Sequence, residues 1–597
     1  MPLYVNLPQN HDEFDVVIAG GGTSGCIIAA RLADADPNLS ILVIEAGLNN
    51  VGEATLTHPA FWISQIIPSS QFTLFYQGAP SKFLSGRGPV VPAGNTLGGG
   101  SSINLMQYSR GQRCDYDNWK TPGWSADDIL PYMKKLETYS GPDPRQVHGH
   151  DGPIHVSGGT FRCERFSKDL LDSLGKAGWP ETEDLNTMDT VNRSMRAMRY
   201  VDEQGNRQDT ATKYLHPRLD EKHPNLHVVV RSRVDRILFN EDKKAVAVVY
   251  QPESSPESAP ARTVKARKTV VLTAGAMGSP LILERSGVGN PDIIKRSGIE
   301  LVADLPAVGE NYDDHHMMIY AYKSNLEPNE TLDGVISGRS KPADMIANKD
   351  KLLGWNGVDV QAKVRPSDED VASLGPQFQA AWEKDFKPQP EKPLMLLAST
   401  ICFPGDPTGQ PEGQYFGMVS FTVHPFSRGH IHIRSSDLYS TPEFDPGFFS
   451  DDGFDIESHL WMYKKQREIT RRMGVFQGEV ASWHPQFPPG SKAACLETPD
   501  GTETANIEYS AEDDEAILQW LRGHVDTTWH SMGTCRMAPV NEGGVVDSRL
   551  NVHGVQGLKV ADMGIPPSNV AANTNNTAMV IGEKAADILI QDLGLST

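Results

Sequence analysis

Val16-Val-Ile-Ala-Gly20-Gly-Gly22-Thr-Ser-Gly25 passes from an unbroken apolar run into a glycine turn. A helical stretch then leads to Ile41-Leu-Val-Ile44 and the acid Glu45. Glycines at such a turn let the backbone approach a pyrophosphate closely, and the helix that follows aims its free amides and positive dipole end at the phosphates. Glu45, 20 residues beyond Gly25, stands where a carboxylate accepts the hydroxyls of a ribose. Strand, turn, helix, strand and acid together define a dinucleotide-binding unit. The acid suits the adenosine ribose of FAD or NAD and would repel the 2′-phosphate of NADP. The motif alone does not separate the first two.

Composition bounds the rest. A chain of 597 residues exceeds one ordinary core, and two domains are expected. A formal net charge of −21 repels nucleic acids and anionic membrane surfaces at long range, so neither partner is expected. The six cysteines, Cys26, Cys114, Cys163, Cys402, Cys495 and Cys535, form no CxxC pair and no metal-ligand spacing, so ordinary buried thiols and no metal are expected. The N-terminus lacks a basic region followed by an apolar stretch, and no later run approaches the ~18 apolar residues of a membrane span. We therefore expect an intracellular protein without a signal peptide, cytoplasmic or peroxisomal. The tail Leu595-Ser-Thr597 differs from the S-K-L peroxisomal address at every position.

Further along, Gly86 to Asn104 is too rich in glycine and too long for a simple turn, and such backbone can lie flat against a planar ligand. Asn225-Leu-His-Val-Val-Val230 and Val246-Ala-Val-Val-Tyr250 read as strands of a meander, with turns at Asn240 to Lys244 and Pro252 to Pro260. Thr269-Val-Val-Leu-Thr273 leads through Ala274-Gly-Ala-Met-Gly-Ser279 into another helix. From about Tyr320 to Ala516 proline-broken, charged stretches alternate with aromatic segments, and we assign this region to a substrate-covering domain. Gly429-His-Ile-His-Ile-Arg434 suits a strand flooring that domain. Gly557 to Asp562 as a strand and Thr577 to Leu593 as a helix return the chain to the α/β core.

Thr527-Thr-Trp529-His530-Ser-Met-Gly533 and Asn569-Val-Ala-Ala-Asn573-Thr-Asn-Asn-Thr577 complete the pattern. With Gly98-Gly-Gly-Ser-Ser-Ile-Asn104, Gly275 to Gly289 and Val308-Gly-Glu-Asn-Tyr-Asp-Asp-His315, the chain resembles the glucose-methanol-choline (GMC) family of FAD oxidoreductases from Phe14 to about Leu593. Within it, His424-Pro-Phe-Ser-Arg-Gly-His-Ile-His432, Phe444-Asp-Pro-Gly-Phe448, Thr527-Thr-Trp-His530 and Ile581-Gly-Glu-Lys584 are similar to the alcohol oxidases. The resemblance implies an α/β fold: a Rossmann-like FAD-binding domain over 1–160, 225–318 and 520–597, and a substrate-binding domain on an antiparallel sheet over 161–224 and 319–519.

It also implies site roles. His530 is the base and Asn573 its partner. Physical chemistry agrees, since an alcohol must lose its hydroxyl proton as hydride leaves carbon, and imidazole accepts protons near neutral pH. Asn573 cannot take the proton but can hydrogen-bond the alcohol oxygen. Gly20, Gly22, Thr23, Ser24 and Gly25 form the pyrophosphate cradle, and Glu45 is the ribose acid. Thr96, Gly100 and Asn104 line the ring system, Val234 meets the adenine through its backbone, Asp562 faces the ribityl-phosphate region, and Ala46, Met106, Trp529, Met563 and Thr574 complete the cofactor-binding set. Asn104 cannot make the covalent flavin bond that a histidine nearby makes in some relatives, so dissociable FAD is expected. Leu105 stands where yeast-type methanol oxidases carry Phe, which leaves room for longer or more polar alcohols. The segment between Trp483 and Ile507 is shorter than in those oxidases, arguing against a large assembly while a smaller homo-oligomer stays open. The resulting expectation is oxidation of short primary alcohols by O₂ to aldehydes and H₂O₂. A quinone-linked dehydrogenase is the alternative acceptor chemistry, and a non-redox cyanohydrin lyase is the alternative use of the same fold.

Overall fold

The computed structural model describes residues 3–253, 260–451, 453–498 and 506–595. Most of the expected turn at Pro252 to Pro260, the last two residues of the tail, and part of the segment between Trp483 and Ile507 lie outside them.

The apolar runs build the first sheet. Glu13–Ala19 and Ile41–Ile44 pair in parallel, and from Phe14 to Ala19 and from Ile41 to Ile44 every residue is buried. Continuous rather than alternating apolar character is what a parallel strand covered on both faces requires. The eight-stranded sheet runs Leu3–Tyr4, Leu226–Val229, Ile41–Ile44, Glu13–Ala19, Arg262–Leu272, Ala245–Pro252, Ser232–Phe239, and Leu558–Val560 also pairs with Arg262–Leu272. The 11-residue strand Arg262–Leu272 has Glu13–Ala19 in parallel along one edge and two neighbours along the other: its first half pairs antiparallel with Ala245–Pro252 and its second half parallel with Leu558–Val560.

The meander therefore differs from the sequence expectation. Leu226–Val229 is a parallel neighbour of Ile41–Ile44, and the meander is formed by Ser232–Phe239, Ala245–Pro252 and Arg262–Leu272. Ser232–Phe239 hides its strand character because Arg233, Asp235 and Arg236 interrupt the apolar pattern. Asp235 is nevertheless buried, bonded to Arg285 at 3.2 Å.

The helices Thr23–Ala35 and Asn575–Asp592 cross closely over the sheet. A Cβ on Gly582 would stand 3.1 Å from Ser24 Cα and from Ile27 Cβ, so this glycine permits the approach. Arg31 ties the two helices through Glu583 at 2.7 Å.

A seven-stranded antiparallel sheet lies beyond, in the order Phe476–Glu479, His316–Ser324, Gln414–Thr422, Met395–Thr400, Val360–Val364, Arg193–Arg196, with Asp526–Thr527 added beside His316 and Met317. Its two faces alternate as a pleated sheet must. Met317, Leu396, Val419 and Phe421 form a small cluster on one face, while Met318, Tyr320, Met395, Leu397 and Met418 join the large core that includes Trp461 and Met462 of the helix Phe454–Arg471. The strand read at Gly429 to Arg434 is present as His430–His432, but it does not floor this sheet. It pairs with Glu443–Asp445 as a separate two-stranded ribbon. Alternation identifies a strand without naming its partner.

Candidate active site

One continuous cavity of about 680 Å³ runs between the two sheets, from Gly20, Gly22 and Thr23 at one end to His530 and Asn573 at the other. That volume falls within the range of small-molecule and cofactor pockets.

The turn end is built for an anion. Gly20 has φ +113°, and a Cβ there would stand 2.5 Å from the Thr273 carbonyl oxygen. The helix Thr23–Ala35 starts at Gly22 with no side-chain cap and no acid in its first turn, which leaves its N-terminal amides and dipole end free to face a phosphate. Gly100 and Gly275 line the same cavity, and a Cβ on either would meet nothing within 4 Å. The wall is thus left bare where a ligand's flat surface can lie. These features fit a dinucleotide.

Of the expected residues, Gly20, Gly22, Thr23, Ser24, Glu45, Ala46, Thr96, Gly100, Asn104, Met106, Val234, Trp529, Asp562, Met563, Thr574, His530 and Asn573 all line this cavity. Gly25 does not. Its imagined Cβ would stand 2.2 Å from the Gly20 carbonyl oxygen, so its place is the close packing of helix against strand.

Several side chains are already engaged with protein. Thr23 Oγ1 donates to the Gly98 carbonyl, Ser24 Oγ to Ala578 and Thr96 Oγ1 to Leu48, so at these positions the hydroxyls are committed to protein acceptors. Glu45 accepts from the amides of Gly21 at 2.7 Å and Gly47 at 2.8 Å, one on each oxygen, and each oxygen keeps a lone pair for a hydroxyl. Burial pushes its pKa up to about 7 against those two amides. Asp562 accepts from the Gly275 and Gly564 amides and from Ser279 Oγ, which pins the start of the helix Gly275–Arg285 to the loop after Leu558–Val560. Met106 and Trp529 hold φ of +57° and +63°, a left-handed backbone that non-glycine residues keep only when surroundings enforce it. The Trp529 amide is held by Thr527 Oγ1 at 2.7 Å.

At the other end a directional chain of hydrogen bonds appears. Ser109 Oγ donates to Asn573 Oδ1 at 3.0 Å and accepts from the Asn573 amide at 2.7 Å. With Oδ1 occupied, the amide end facing His530 is Nδ2, a donor, 3.5 Å from Nε2. A donor facing Nε2 assigns the neutral tautomer with the proton on Nδ1. His530 Nδ1 then donates to His315 Nδ1 at 2.8 Å. The His530 backbone amide is held by Asp314 Oδ1 at 3.0 Å, and Asp314 Oδ2 accepts from Thr527 Oγ1 and Tyr312. Burial lowers the His530 pKa to about 3, keeping the ring neutral. Burial, with the neighbouring His530 second, holds His315 well below the ordinary imidazole range.

Ser109, Asp314 and His315 were not among the expected site residues. His315 closes the quoted Val308 to His315 string, which carried the only signal, and nothing local marks Ser109. The wall around this end is apolar, with Leu105, Met317, Val358, Ala398, Val419 and Phe421.

The chain belongs to the GMC oxidoreductase family: the family's N-terminal model matches residues 14–317 and its C-terminal model residues 425–582. It is 39% identical over 646 residues to an alcohol oxidase of Candida boidinii, covering 98% of this chain and 96% of that protein. An alcohol oxidase of Pichia angusta matches at 39% with the same coverage. Among solved structures, an FAD-dependent oxidoreductase from Chaetomium thermophilum superimposes with a TM-score of 0.79 at 26% identity, over 98% of this chain and all of that one. A formate oxidase of Aspergillus oryzae shares the fold at a TM-score of 0.82 and 23% identity, covering 97% and 98% of the two chains.

Proposed function

We propose that this chain is an FAD-dependent alcohol oxidase converting short-chain primary alcohols and O₂ to aldehydes and H₂O₂, with His530 as the proton acceptor. FAD, when bound, supplies the acceptor for the substrate's hydride and the route of its electrons to O₂. The observation that carries the reading is the meeting of His530 Nε2 and Asn573 Nδ2 on the cavity wall, with Asn573 Oδ1 held by Ser109 so that the amide presents its donor. The two nitrogens are 3.5 Å apart, so a hydroxyl oxygen set in front of both, within about 3 Å of each, accepts from Asn573 and donates to His530. Both contacts orient the carbinol carbon, and the proton leaves for Nε2 as the C–H bond breaks. His315 takes the hydrogen bond from Nδ1 and so keeps Nε2 the basic atom. The apolar wall excludes water from the developing aldehyde. Relatives named alcohol oxidases, at 39% identity over almost the whole chain, support oxygen as the acceptor over a quinone.

The low pKa of His530 sets the pH dependence. A base whose conjugate acid ionises at about 3 is already free from pH 5 to 9, so the anaerobic rate of flavin bleaching at saturating alcohol is expected to be flat across that range. An ordinary imidazole would instead lose roughly tenfold per unit below about pH 6.5. Stopped-flow traces at five pH values decide between the two.

Leu105 packs against the Ala197, Val358 and Ala398 cluster on the cavity wall. Leu105→Phe adds volume there and is expected to lower the peroxide-release rate with butanol relative to methanol by about tenfold, the scale of a methylene or two misfitting an apolar pocket. An unchanged ratio removes Leu105 from the specificity argument.

We further propose the division into an FAD-binding domain of 1–160, 225–318 and 520–597 and a substrate-binding domain of 161–224 and 319–519. The reaction is placed inside the cell, in the cytoplasm or the peroxisome, and six free cysteines suit that setting. No helix among the described residues is long and apolar enough to cross a membrane. A homo-oligomer smaller than an octamer is the assembly we propose. Peroxide measured with alcohol, air and the purified protein as the only reagents tests the activity, and a dehydrogenase would stay nearly silent.

A further inference from the structure

Five arginines in the described residues are buried, and four of them have a carboxylate against the guanidinium. Arg110 pairs with Glu137 at 2.5 Å, Arg199 with Asp359, Arg285 with Asp235 at 3.2 Å and Arg467 with Glu479 at 2.8 Å. Arg207, 4% exposed, has no ion pair among these residues. Buried charges are paired because desolvation is otherwise uncompensated, so the exception calls for a reason.

Its partners place it behind the cavity wall. Arg207 Nη1 donates to the Asn104 carbonyl at 2.7 Å and to Asn104 Oδ1 at 2.9 Å, and Nε donates to the Leu56 carbonyl at 2.7 Å. Nη2 is buried with no hydrogen-bond acceptor among the described residues. The carboxylate that attracts it, Asp209, makes its hydrogen bonds to Asn50 and Thr212 instead. Burial lowers the Arg207 pKa to about 10, which still leaves it charged near neutrality.

Two consequences follow for Asn104. Its Oδ1 accepts from both Arg207 and the Met106 amide, at 2.9 Å each, so the end of the amide left for the cavity is the Nδ2 donor. The same bonds hold the turn at Met106 in its left-handed conformation. A donor on the wall with a fixed cation behind it is an arrangement that favours negative charge in the cavity.

We propose that Arg207 is a positioning and charge-balancing residue for the cofactor ring, its missing counter-ion being the negative charge that arrives in the cavity when an alcohol is oxidised. The inference rests on the alcohol-oxidase reading above. In that reaction the O–H bond breaks to give a proton to His530, the C–H bond breaks to give a hydride to the ring, and a C=O bond forms. The cavity's ring system therefore gains one negative charge. Arg207 lowers the free energy of that state through Asn104 without touching substrate.

The test uses the FAD-loaded protein and needs no alcohol. Sulfite bonds to an oxidised flavin ring through its sulfur lone pair, adds negative charge to the ring and bleaches its visible band, so its Kd reports how well the site tolerates that charge. Arg207→Gln is expected to raise the sulfite Kd at least tenfold and to lower the equilibrium constant for two-electron reduction about tenfold, which is about 30 mV in midpoint potential. Arg207→Lys, which keeps the charge, should stay within threefold of the parent on both readings. A purely structural role would lower thermal stability and move neither, and wild-type values in Arg207→Gln would overturn the proposal. Should Arg207→Gln fail to retain FAD, Asp209→Asn decides: removing the opposing charge must tighten sulfite binding at least threefold, and unchanged or weaker binding overturns the proposal. Because sulfite and potential are read without alcohol, a protein that shifts as expected yet oxidises no alcohol would refute the activity and not the charge.

Discussion

Replacing His530 by alanine is expected to slow anaerobic bleaching of the flavin by methanol or ethanol ~10²- to 10⁴-fold, the range over which a positioned general base contributes. No neighbour can take over the role. Asn573 has no basic atom, and His315 lies behind His530, fully buried, with Nδ1 facing the ring that the substitution removes. The FAD content should remain at the parent level, because the turn we propose to hold the phosphates is in another part of the chain. Unchanged bleaching with full flavin content would reject His530 as the base.

The second large effect falls on cofactor retention. Gly25→Ala puts a Cβ 2.2 Å from the Gly20 carbonyl oxygen and 2.8 Å from Thr273 Oγ1, and the carbonyl is backbone of the turn itself. Helix Thr23–Ala35 must back away from the strand, which moves the N-terminal amides off the phosphate position. We expect purified Gly25→Ala to carry less than about a tenth of the parent's flavin, read from visible absorbance against protein, with the turn's tight glycine geometry as the physical cause. Gly523→Ala is the control. It lies in the helix Ala511–His524, where a Cβ meets nothing within 4 Å, and it should stay yellow while gaining up to roughly 1 kcal/mol of stability from helix propensity. A fully loaded Gly25→Ala protein would contradict the packing argument.

The dinucleotide turn was legible because its features are local. Apolar runs buried on both faces, the glycines and the acid all sit within 30 residues, and each has one physical reading. The second domain was legible in the residues only as a change in composition and its antiparallel sheet only through the family resemblance, since strands as far apart as Arg193–Arg196 and Phe476–Glu479 meet in one sheet and alternation does not encode a partner. His430–His432 shows this most clearly, as a strand correctly read whose neighbour proved to be Glu443–Asp445. In the site, His530 and Asn573 stand out through family motifs. Ser109, His315 and Arg207 act by orienting other side chains across long sequence separations, and such roles leave no periodicity or spacing to read. Ser232–Phe239 was missed for another reason: its charges look like a surface loop until Arg285 is seen to neutralise Asp235.

The central claim is that this cavity holds FAD and oxidises a primary alcohol with the proton passing to His530. Mixing the yellow protein anaerobically with one equivalent of ethanol per flavin and then admitting air tests it most directly. The account predicts loss of the visible flavin band, then its return with one H₂O₂ formed per flavin. A colour that persists under ethanol, or a protein that cannot be made yellow with added FAD, would contradict it.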